Sequence, residues 1–397
     1  MVLVCCLLFF SCTTPYELKQ DEIFDDRLVV EGKLTDALNY QTVKLTRTYL
    51  LNKWTTIPTE KNAQVKIVED GTTFFEYEEK EPGIYVSKNK FRALPNKSYT
   101  LEINLSSGKK YVSVQQKLPA QSNSDFDLVV AKGINKQGTP GVFIDYVTKG
   151  GGNSVESSYY RFDHTSTYKI VVPNWFTDSL VVNSTIRPSM VVKGNEIGRV
   201  CYKDDRSSEI ILRNASKFQG NAVDPFNIKF LPKADHKIYY RYSINVNQYV
   251  VSEESYAYFN TLKEFSESTN VFSENQPGII IGNIISLDNE NENVIGFFEV
   301  VKKLSKRVFF NYTDFYEKST VQALSEFYFV ECVISLPTLR SRGIHQPLSL
   351  NEMLLKELVV LLNENHDDPG GPYQVVTKAC GDCRVLGDVK KPDFWID

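Results

Sequence analysis

Short segments of alternating apolar and polar residues between residues 27 and 118 constrain the fold of this chain more than any other feature. A period of two residues places one face of a strand on a core and the other face in water. Asp70-Gly71 and Ser107-Gly108 lie between such segments, and dipeptides of this kind are typical of tight hairpin turns. The alternating segments cover residues 27–32, 42–46, 64–68, 73–77, 83–86, 99–103 and 111–114.

Seven short strands separated by turns are the pattern of an immunoglobulin-like β-sandwich, which we predict for residues 27–118. Residues 118–125 have the composition of a linker, and residues 126–397 are predicted to form a larger β-rich domain. Its clearest strand is predicted at residues 238–246. The composition agrees with a mostly β protein, since 24 Phe and 22 Tyr against 3 Met favour strands over helices.

Two helices are predicted within the second domain, near residues 252–266 and 349–364. Ser252 and Ser349 are suitable N-cap residues, because a serine hydroxyl can accept a hydrogen bond from the first helical turn. We expect the apolar stripe of each helix to pack against a sheet rather than against a membrane. The stripes comprise Tyr258, Phe259, Leu262 and Phe265 in the first helix, and Leu350, Met353, Leu354, Leu358 and Leu361 in the second.

The amino end has the layout of a lipoprotein signal peptide. Residues 1–11 are uncharged and largely apolar, and they are followed directly by Cys12. We predict that this signal is removed and that Cys12 carries the acyl anchor, with residues 12–26 as an acidic tether. No Lys or Arg precedes the apolar run, which would be explained by a true start codon further upstream. The alternative to a signal peptide is a buried N-terminal strand.

Four cysteines then remain in the body of the chain, namely Cys201, Cys332, Cys380 and Cys383. An even number of thiols outside the cytoplasm favours disulfides, and the sequence leaves all three pairings open. The spacing of Cys380 and Cys383 also suits half of a zinc site or a redox motif, which we consider weaker interpretations. No metal and no cofactor is predicted.

No catalytic motif stands out, and we therefore predict no enzymatic activity and no catalytic residue. His164 and His236 each follow an aspartate, but neighbouring residues of a strand point to opposite faces and do not form a dyad. The acidic segment 288–293 could supply oxygen ligands to calcium, although a solvated hairpin tip is favoured. A net charge of −4 without a basic stripe argues against nucleic acid as a partner.

Several segments taken in order resemble a known family. They are Cys12-Thr-Thr-Pro-Tyr16, Leu28-Val-Val-Glu-Gly32, Gly83-Ile-Tyr85, Tyr99-Thr-Leu101, Cys201-Tyr202, Glu209-Ile-Ile-Leu212, Ser252-Glu-Glu-Ser-Tyr256, Phe259, Gly282-Asn-Ile284, Gly296-Phe-Phe298, Cys380-Gly-Asp-Cys383 and Lys391-Pro-Asp-Phe-Trp395. Together they are similar to the Bacteroidota lipoproteins of domain-of-unknown-function family 4249. The resemblance implies an outer-membrane lipoprotein that is often encoded beside a TonB-dependent receptor, and it carries over no functional residue beyond Cys12.

These observations lead to one preferred hypothesis and two alternatives. The preferred one is a non-enzymatic accessory or ligand-capture subunit of a TonB-dependent uptake system. Such a subunit would have two partners, the outer-membrane lipid reached through the acyl anchor and the TonB-dependent receptor, on either the periplasmic or the surface face. The first alternative is a structural or assembly factor of the cell envelope that uses the sandwich as a protein-docking module. The second is a hydrolase whose site would bring His164 or His236 close to Asp and Ser.

Overall fold

The structure of this chain is a computed structural model, and three of the predicted features fall outside the part it describes. They are the signal segment 1–11, the lipidation residue Cys12 and the acidic tether 12–26, of which only Asp26 is described. The structure describes residues 26–49, 57–119, 125–149, 159–182, 189–192, 196–215, 225–267, 280–317, 332–337, 348–364 and 372–397.

The first part of the chain consists of short antiparallel strands, as predicted. Each of the seven alternating segments lies in a strand, with bounds that differ from the prediction by a few residues. The strands are β1 Leu28–Thr35, β2 Thr42–Arg47, β3 Gln64–Glu69, β4 Thr73–Glu81, β5 Ile84–Ser87, β6 Ser98–Asn104, β7 Lys110–Ser113 and β8 Gln116–Lys117.

Longer strands form the second part. The clearest predicted strand begins at Arg241 rather than at residue 238, because residues 236–238 form a 3-10 turn capped by Asp235. The strands are β9 Asp125–Ile134, β10 Pro140–Lys149, β11 Tyr159–Val171, β12 Asp178–Val181, β13 Ser189–Val192, β14 Val200–Arg206, β15 Ile211–Asn214, β16 Phe226–Pro232, β17 Arg241–Val250, β18 Ile284–Ser286, β19 Ile295–Asn311, β20 Ile334–Ser335, β21 Val359–Glu364 and β22 Tyr373–Thr377.

One 14-stranded sheet joins the two parts of the chain, in the order β14-β11-β17-β19-β1-β2-β5-β4-β3-β6-β7-β18, with β15 on β11 and β8 on β6. The junction is the pair β1 and β19, which run parallel and place Lys33 opposite Glu299. Three residues of β18 and β19, Ile284, Phe298 and Val300, complete the core formed by the first strands. The core of the first strands therefore also contains residues that come after the predicted domain boundary at residue 118.

A second layer covers the long strands of the second part. Strands β16, β10 and β9 form a three-stranded antiparallel sheet whose apolar side chains pack on β11 and β17. The packed side chains include Tyr146 of β10, Phe162 of β11 and Tyr242 of β17, all with almost no exposed surface. The architecture is mostly β, as the sequence predicted.

The first predicted helix is confirmed, and the second is partly wrong. Helix α1 spans Glu253–Glu267, close to the predicted bounds. Helix α2 begins after the predicted cap Ser349 but covers only Leu350–Leu355. Glu357 then adopts a positive φ of 56° and the chain continues as β21. The β-branched residues Val359 and Val360 favour a strand, which explains why the apolar spacing was misleading.

The acidic segment 288–293 is exposed except for Glu292, which is partly buried, and it does not close a hairpin, because the strands on its two sides pair elsewhere. Strand β18 pairs with β7, whereas β19 pairs with β1 and β17. The two strands are linked instead by Asn283, whose buried side chain bonds both the N–H and the carbonyl of Phe298 at 2.7 and 2.8 Å. No helix in the described parts of the chain is long and apolar enough to cross a membrane.

Candidate functional site

A cavity of about 650 Å³ lies between helix α1 and the face of the large sheet that points away from the core of the first strands. Its floor is formed by β1, β2, β19 and β11. Apolar side chains of Tyr258, Phe259, Leu262, Ile295 and Phe297 line part of it. The charged residues that line the cavity are Glu31, Lys33, Lys44, Arg161, Arg206 and Glu299.

Strand β1 presents charge to the cavity because its residues alternate between two faces. Leu28, Val30 and Leu34 are buried in the core, so Glu31 and Lys33 point to the other side. The close approach of β19 depends on Gly296, which has a φ of +148° and whose added Cβ would lie 2.2 Å from the carbonyl oxygen of Val30. The alternation of β1 and this glycine together shape the floor of the cavity.

Helix α1 forms the opposite wall. The hydroxyl of Ser252 accepts a hydrogen bond from the N–H of Ser255 at 3.2 Å, which is the predicted N-cap. One turn further on, the ring of Tyr258 packs on Phe297 of β19, with centroids 5.4 Å apart. The predicted apolar stripe therefore anchors the helix on the sheet, and Phe259 and Leu262 face the cavity from the same stripe.

A buried ion pair joins the sheet to the helix. Arg161 of β11 donates to the carboxylate of Glu299, which is only 3% exposed and also accepts from the hydroxyl of Ser255 at 3.0 Å. The guanidinium lies over the rings of Phe259 and Tyr249, at 4.5 and 5.0 Å from their centroids. Among the residues that the structure describes, no acceptor reaches the buried Nε of Arg161.

A second charged pair lies beside the first. The Nζ of Lys33 is 3.5 Å from the carboxylate of Asp163 and 3.8 Å from the centroid of Tyr249. Burial and the nearby Arg161 lower the pKa of Lys33. Burial alone would raise the pKa of Asp163, but Lys33 and hydrogen bonds from Asn247 at 2.6 Å and Tyr249 at 2.8 Å outweigh it and lower that pKa.

This arrangement can hold a small molecule. Its volume lies within the range of ligand pockets, about 300 to 1,000 Å³, and it combines aromatic surface with a few oriented polar groups. Arg161 and Lys33 are held by Glu299, Asp163 and aromatic rings, so their positions do not depend on a bound ligand. Apolar burial would supply affinity, and the oriented charges would supply selectivity.

The four predicted cysteines form two disulfides, Cys201–Cys383 and Cys332–Cys380. Cys380 and Cys383 therefore do not pair with each other, although they belong to one motif. Each bond ties the carboxyl-terminal segment to a different distant strand region, 182 and 48 residues away along the chain. Within the described ranges, no cluster of three His, Cys, Asp or Glu residues could hold a metal ion.

The two histidines considered for catalysis are not brought together with an acid and a serine. His164 is 4% exposed, and its Nδ1 has no hydrogen-bond partner among the described residues. Burial, together with Lys229, lowers its pKa to about 4. His236 is partly buried, and its Nδ1 lies 3.7 Å from the carboxylate of Asp235, which is beyond hydrogen-bond distance.

The charged residues of the cavity were not found from the sequence, although it contains a signal for one of them. Glu299 interrupts the apolar run from residue 294 to 301, and a carboxylate in such a run is unusual unless it is paired. Lys33 occupies the polar phase of β1, where solvent exposure is the ordinary expectation. The outward-facing side of β1 becomes a wall of the cavity only because β1 pairs with β19 and α1 packs above them.

The fold and the site define a mostly β protein in which one large sheet and helix α1 enclose a charged cavity, and two disulfides tie down the carboxyl-terminal segment. The chain belongs to the family described as Domain of unknown function (DUF4249), whose model matches residues 13–307. The matched range contains every cavity residue named above. A comparison with curated proteins finds no match.

Proposed function

We propose that this protein is an outer-membrane lipoprotein that acts as a non-enzymatic ligand-capture or accessory subunit of a TonB-dependent uptake system. The observation that carries the proposal is the cavity beneath α1, which has ligand-sized volume and pre-positioned charges. The lipoprotein-like amino end supports the location, because Cys12 would hold the folded body next to a membrane through a short tether.

The anchor is tested by replacing its attachment residue. The Cys12→Ser variant should lose the mass of the acyl chains and should leave the outer-membrane fraction for the soluble fraction. A Cys332→Ser/Cys380→Ser variant is the matched control, because it also removes sulfur but leaves the amino end intact. A Cys12→Ser protein that stays in the outer membrane would contradict lipid anchoring.

The partner is tested by crosslinking in cells, followed by purification of the native lipidated protein from outer membranes. A TonB-dependent receptor recovered in a near-equal amount would support the uptake role. Recovery of a barrel-assembly or secretion component, or of no outer-membrane barrel, would overturn it. The Cys12→Ser protein serves as the control, since it should not reach the same partner.

An envelope structural or assembly factor is the alternative that a specific observation favours. In that role the first strands would form an immunoglobulin-like sandwich that docks another protein. Support comes from the antiparallel strands β2 to β8 and from exposed apolar side chains on this part of the chain: Phe74 is 55%, Leu38 60% and Tyr40 55% exposed. Replacing Phe74 with Ser should abolish crosslinking to an assembly component in this alternative and should leave receptor crosslinking unchanged in the preferred one.

A further inference from the structure

We propose that the cavity beneath α1 binds a small organic anion with an apolar body, with the anionic group held by Arg161 and Lys33 and the body packed against Phe259. This inference rests on the proposed capture function and specifies its ligand class. A carboxylate or sulfonate on an aromatic or branched aliphatic body has the required chemistry.

The balance of charge in the cavity favours an anion. Four cationic and two acidic side chains line it, and each acidic one is already paired. Glu31 bonds Lys44 at 2.9 Å near the exposed side, and Glu299 bonds Arg161. When Asp163 is also counted, 3.5 Å from Lys33, four cations face three carboxylates. The cation in excess is Arg206, so a bound anion would balance the charge of the cavity as a whole.

The geometry of Arg161 indicates where the anionic group would bind. Glu299 occupies one Nη of the guanidinium, whereas the buried Nε lacks an acceptor in the described part of the chain. A buried donor without a partner destabilises a protein by about 1–3 kcal/mol, so a ligand oxygen that reached this Nε would stabilise the complex. Lys33 of β1 lies three strands away in the sheet, but its Nζ and the guanidinium of Arg161 both lie close to the ring of Tyr249, so the two cations can share the same negative charge.

The wall next to these cations indicates the rest of the ligand. The ring of Phe259 packs on the guanidinium of Arg161, and Leu262 and Ile295 add apolar surface to the cavity lining. A hydrated inorganic anion would leave this surface exposed to water, which is unfavourable at about 25 cal/mol per Å² of apolar area. An anion that carries an apolar body satisfies both parts of the cavity.

The test is isothermal titration calorimetry of the full-length protein in detergent, with protein-free micelles as the blank. The probes are naphthalene-2-carboxylate and 2-naphthamide, which share one body and differ in charge. We expect the carboxylate to bind at least roughly tenfold more tightly than the amide, the effect of a charge-assisted hydrogen bond. Equal affinities for the two probes, or binding of neither, would overturn the proposal.

Variants locate the binding. Lys33→Met, which leaves the Arg161–Glu299 pair intact, should weaken the carboxylate by roughly tenfold and change the amide less than twofold. The double variant Arg161→Met/Glu299→Leu removes both buried charges together, so it is expected to fold, and it should act in the same direction. Phe259→Ala should weaken both probes. Lys97→Met, in an exposed pair with Asp70 on the first strands, is the control and should change neither.

The outcomes separate this inference from the proposed function. Loss of charge selectivity in the titrations, with receptor crosslinking retained, overturns the ligand class and leaves the uptake role standing. If binding is charge-selective but neither Lys33→Met nor the double variant alters it, the anion binds elsewhere and the inference is also overturned. Charge-selective binding that these variants abolish supports the inference even if crosslinking identifies a different partner.

Discussion

The two faces of the β1 and β19 pair both carry apolar side chains, but only the outer face carries charge. On the inner face, Leu34 and Phe298 are fully buried and pack with the apolar side chains of the first strands. On the outer face, Lys33 and Glu299 lie opposite each other in register and carry charge beneath a helix. The inner face resembles the core of any sandwich, whereas the outer face resembles a binding site.

The difference shows how one strand can serve stability and recognition at the same time. Adjacent residues of a strand point to opposite faces, so Phe298 and Glu299 are neighbours in sequence but not in function. Asp163 and His164 of β11 follow the same rule. Asp163 accepts a hydrogen bond from Tyr249 and pairs with Lys33 on the outer face, and His164 is buried on the opposite side, as the sequence analysis expected.

The largest expected effect belongs to the inner face. Phe298→Ala should lower the free energy of unfolding by about 4 kcal/mol, because it leaves a cavity in a fully buried position. Urea denaturation followed by circular dichroism measures the change. Phe74→Ala is the matched control, because Phe74 is 55% exposed, and it should cost less than about 1 kcal/mol. Equal losses of unfolding free energy in the two variants would contradict the prediction that the buried inner face contributes most to stability.

The next effect tests the ion pair of the outer face. Glu299→Leu should lower the free energy of unfolding by about 3 kcal/mol, since it leaves the charge of Arg161 buried without its partner. The double variant Arg161→Met/Glu299→Leu should recover to within about 1 kcal/mol of the unmodified protein, because apolar residues can replace a buried pair.

The matched control for this pair is on the surface of the first strands. Glu102→Leu breaks a pair with Lys66 whose side chains are more than a third exposed, at 2.9 Å, and it should cost less than about 1 kcal/mol. A double variant that is no more stable than Glu299→Leu alone would show that the outer face is not organised by this ion pair.

The sequence predicted the inner face far better than the outer one. Alternation alone located β1 to β7, because a strand that buries one side must repeat every two residues. Apolar residues at helical spacing also identified helix α1, and Ser252 was correctly predicted as its cap. The prediction of a helix over residues 349–364 went wrong at Glu357, where a left-handed residue and two following valines override the apolar spacing.

The site was beyond the reach of local patterns because it depends on contacts between distant parts of the chain. Lys33 and Glu299 lie opposite each other only because β1 runs parallel to β19. No spacing rule connects two residues that are so far apart in sequence, and Arg161, which bonds Glu299, comes from a third strand. The pairing of Cys201 with Cys383 was open for the same reason, whereas the use of all four cysteines in disulfides was predicted correctly.

The third prediction concerns pH and the inner side of β11. Since the pKa of His164 falls from 6.5 to about 4 on folding, the folded protein favours the neutral imidazole. The neutral His164 makes its full contribution to the free energy of unfolding above about pH 6.5, and this contribution is lost as the pH falls towards about pH 4. Between about pH 7 and pH 4.5 it amounts to about 2 kcal/mol.

The measurement compares urea denaturation at those two pH values for the unmodified protein and for His164→Asn. The variant should show a smaller loss of stability on acidification, by about 2 kcal/mol, because its side chain does not titrate. Lys229 and Asp205 also face this histidine and act on it in opposite directions, so neither is altered in the comparison. His236→Asn controls for the partly buried histidine, and an identical acid sensitivity in all three proteins would contradict the prediction.

The smallest expected effect tests a single hydrogen bond of the outer face, which the hydroxyl of Tyr249 donates to Asp163 at 2.8 Å. Tyr249→Phe keeps the ring that packs against Lys33 and removes only this hydrogen bond, so it should lower the free energy of unfolding by about 1 kcal/mol. In the background of Lys33→Met, the same substitution should cost a different amount, because both residues contact Asp163 and act through one network. A double-mutant cycle from urea denaturation measures this coupling. Strict additivity would mean that Lys33 and Tyr249 act independently, and that the outer face is a set of separate contacts rather than one organised site.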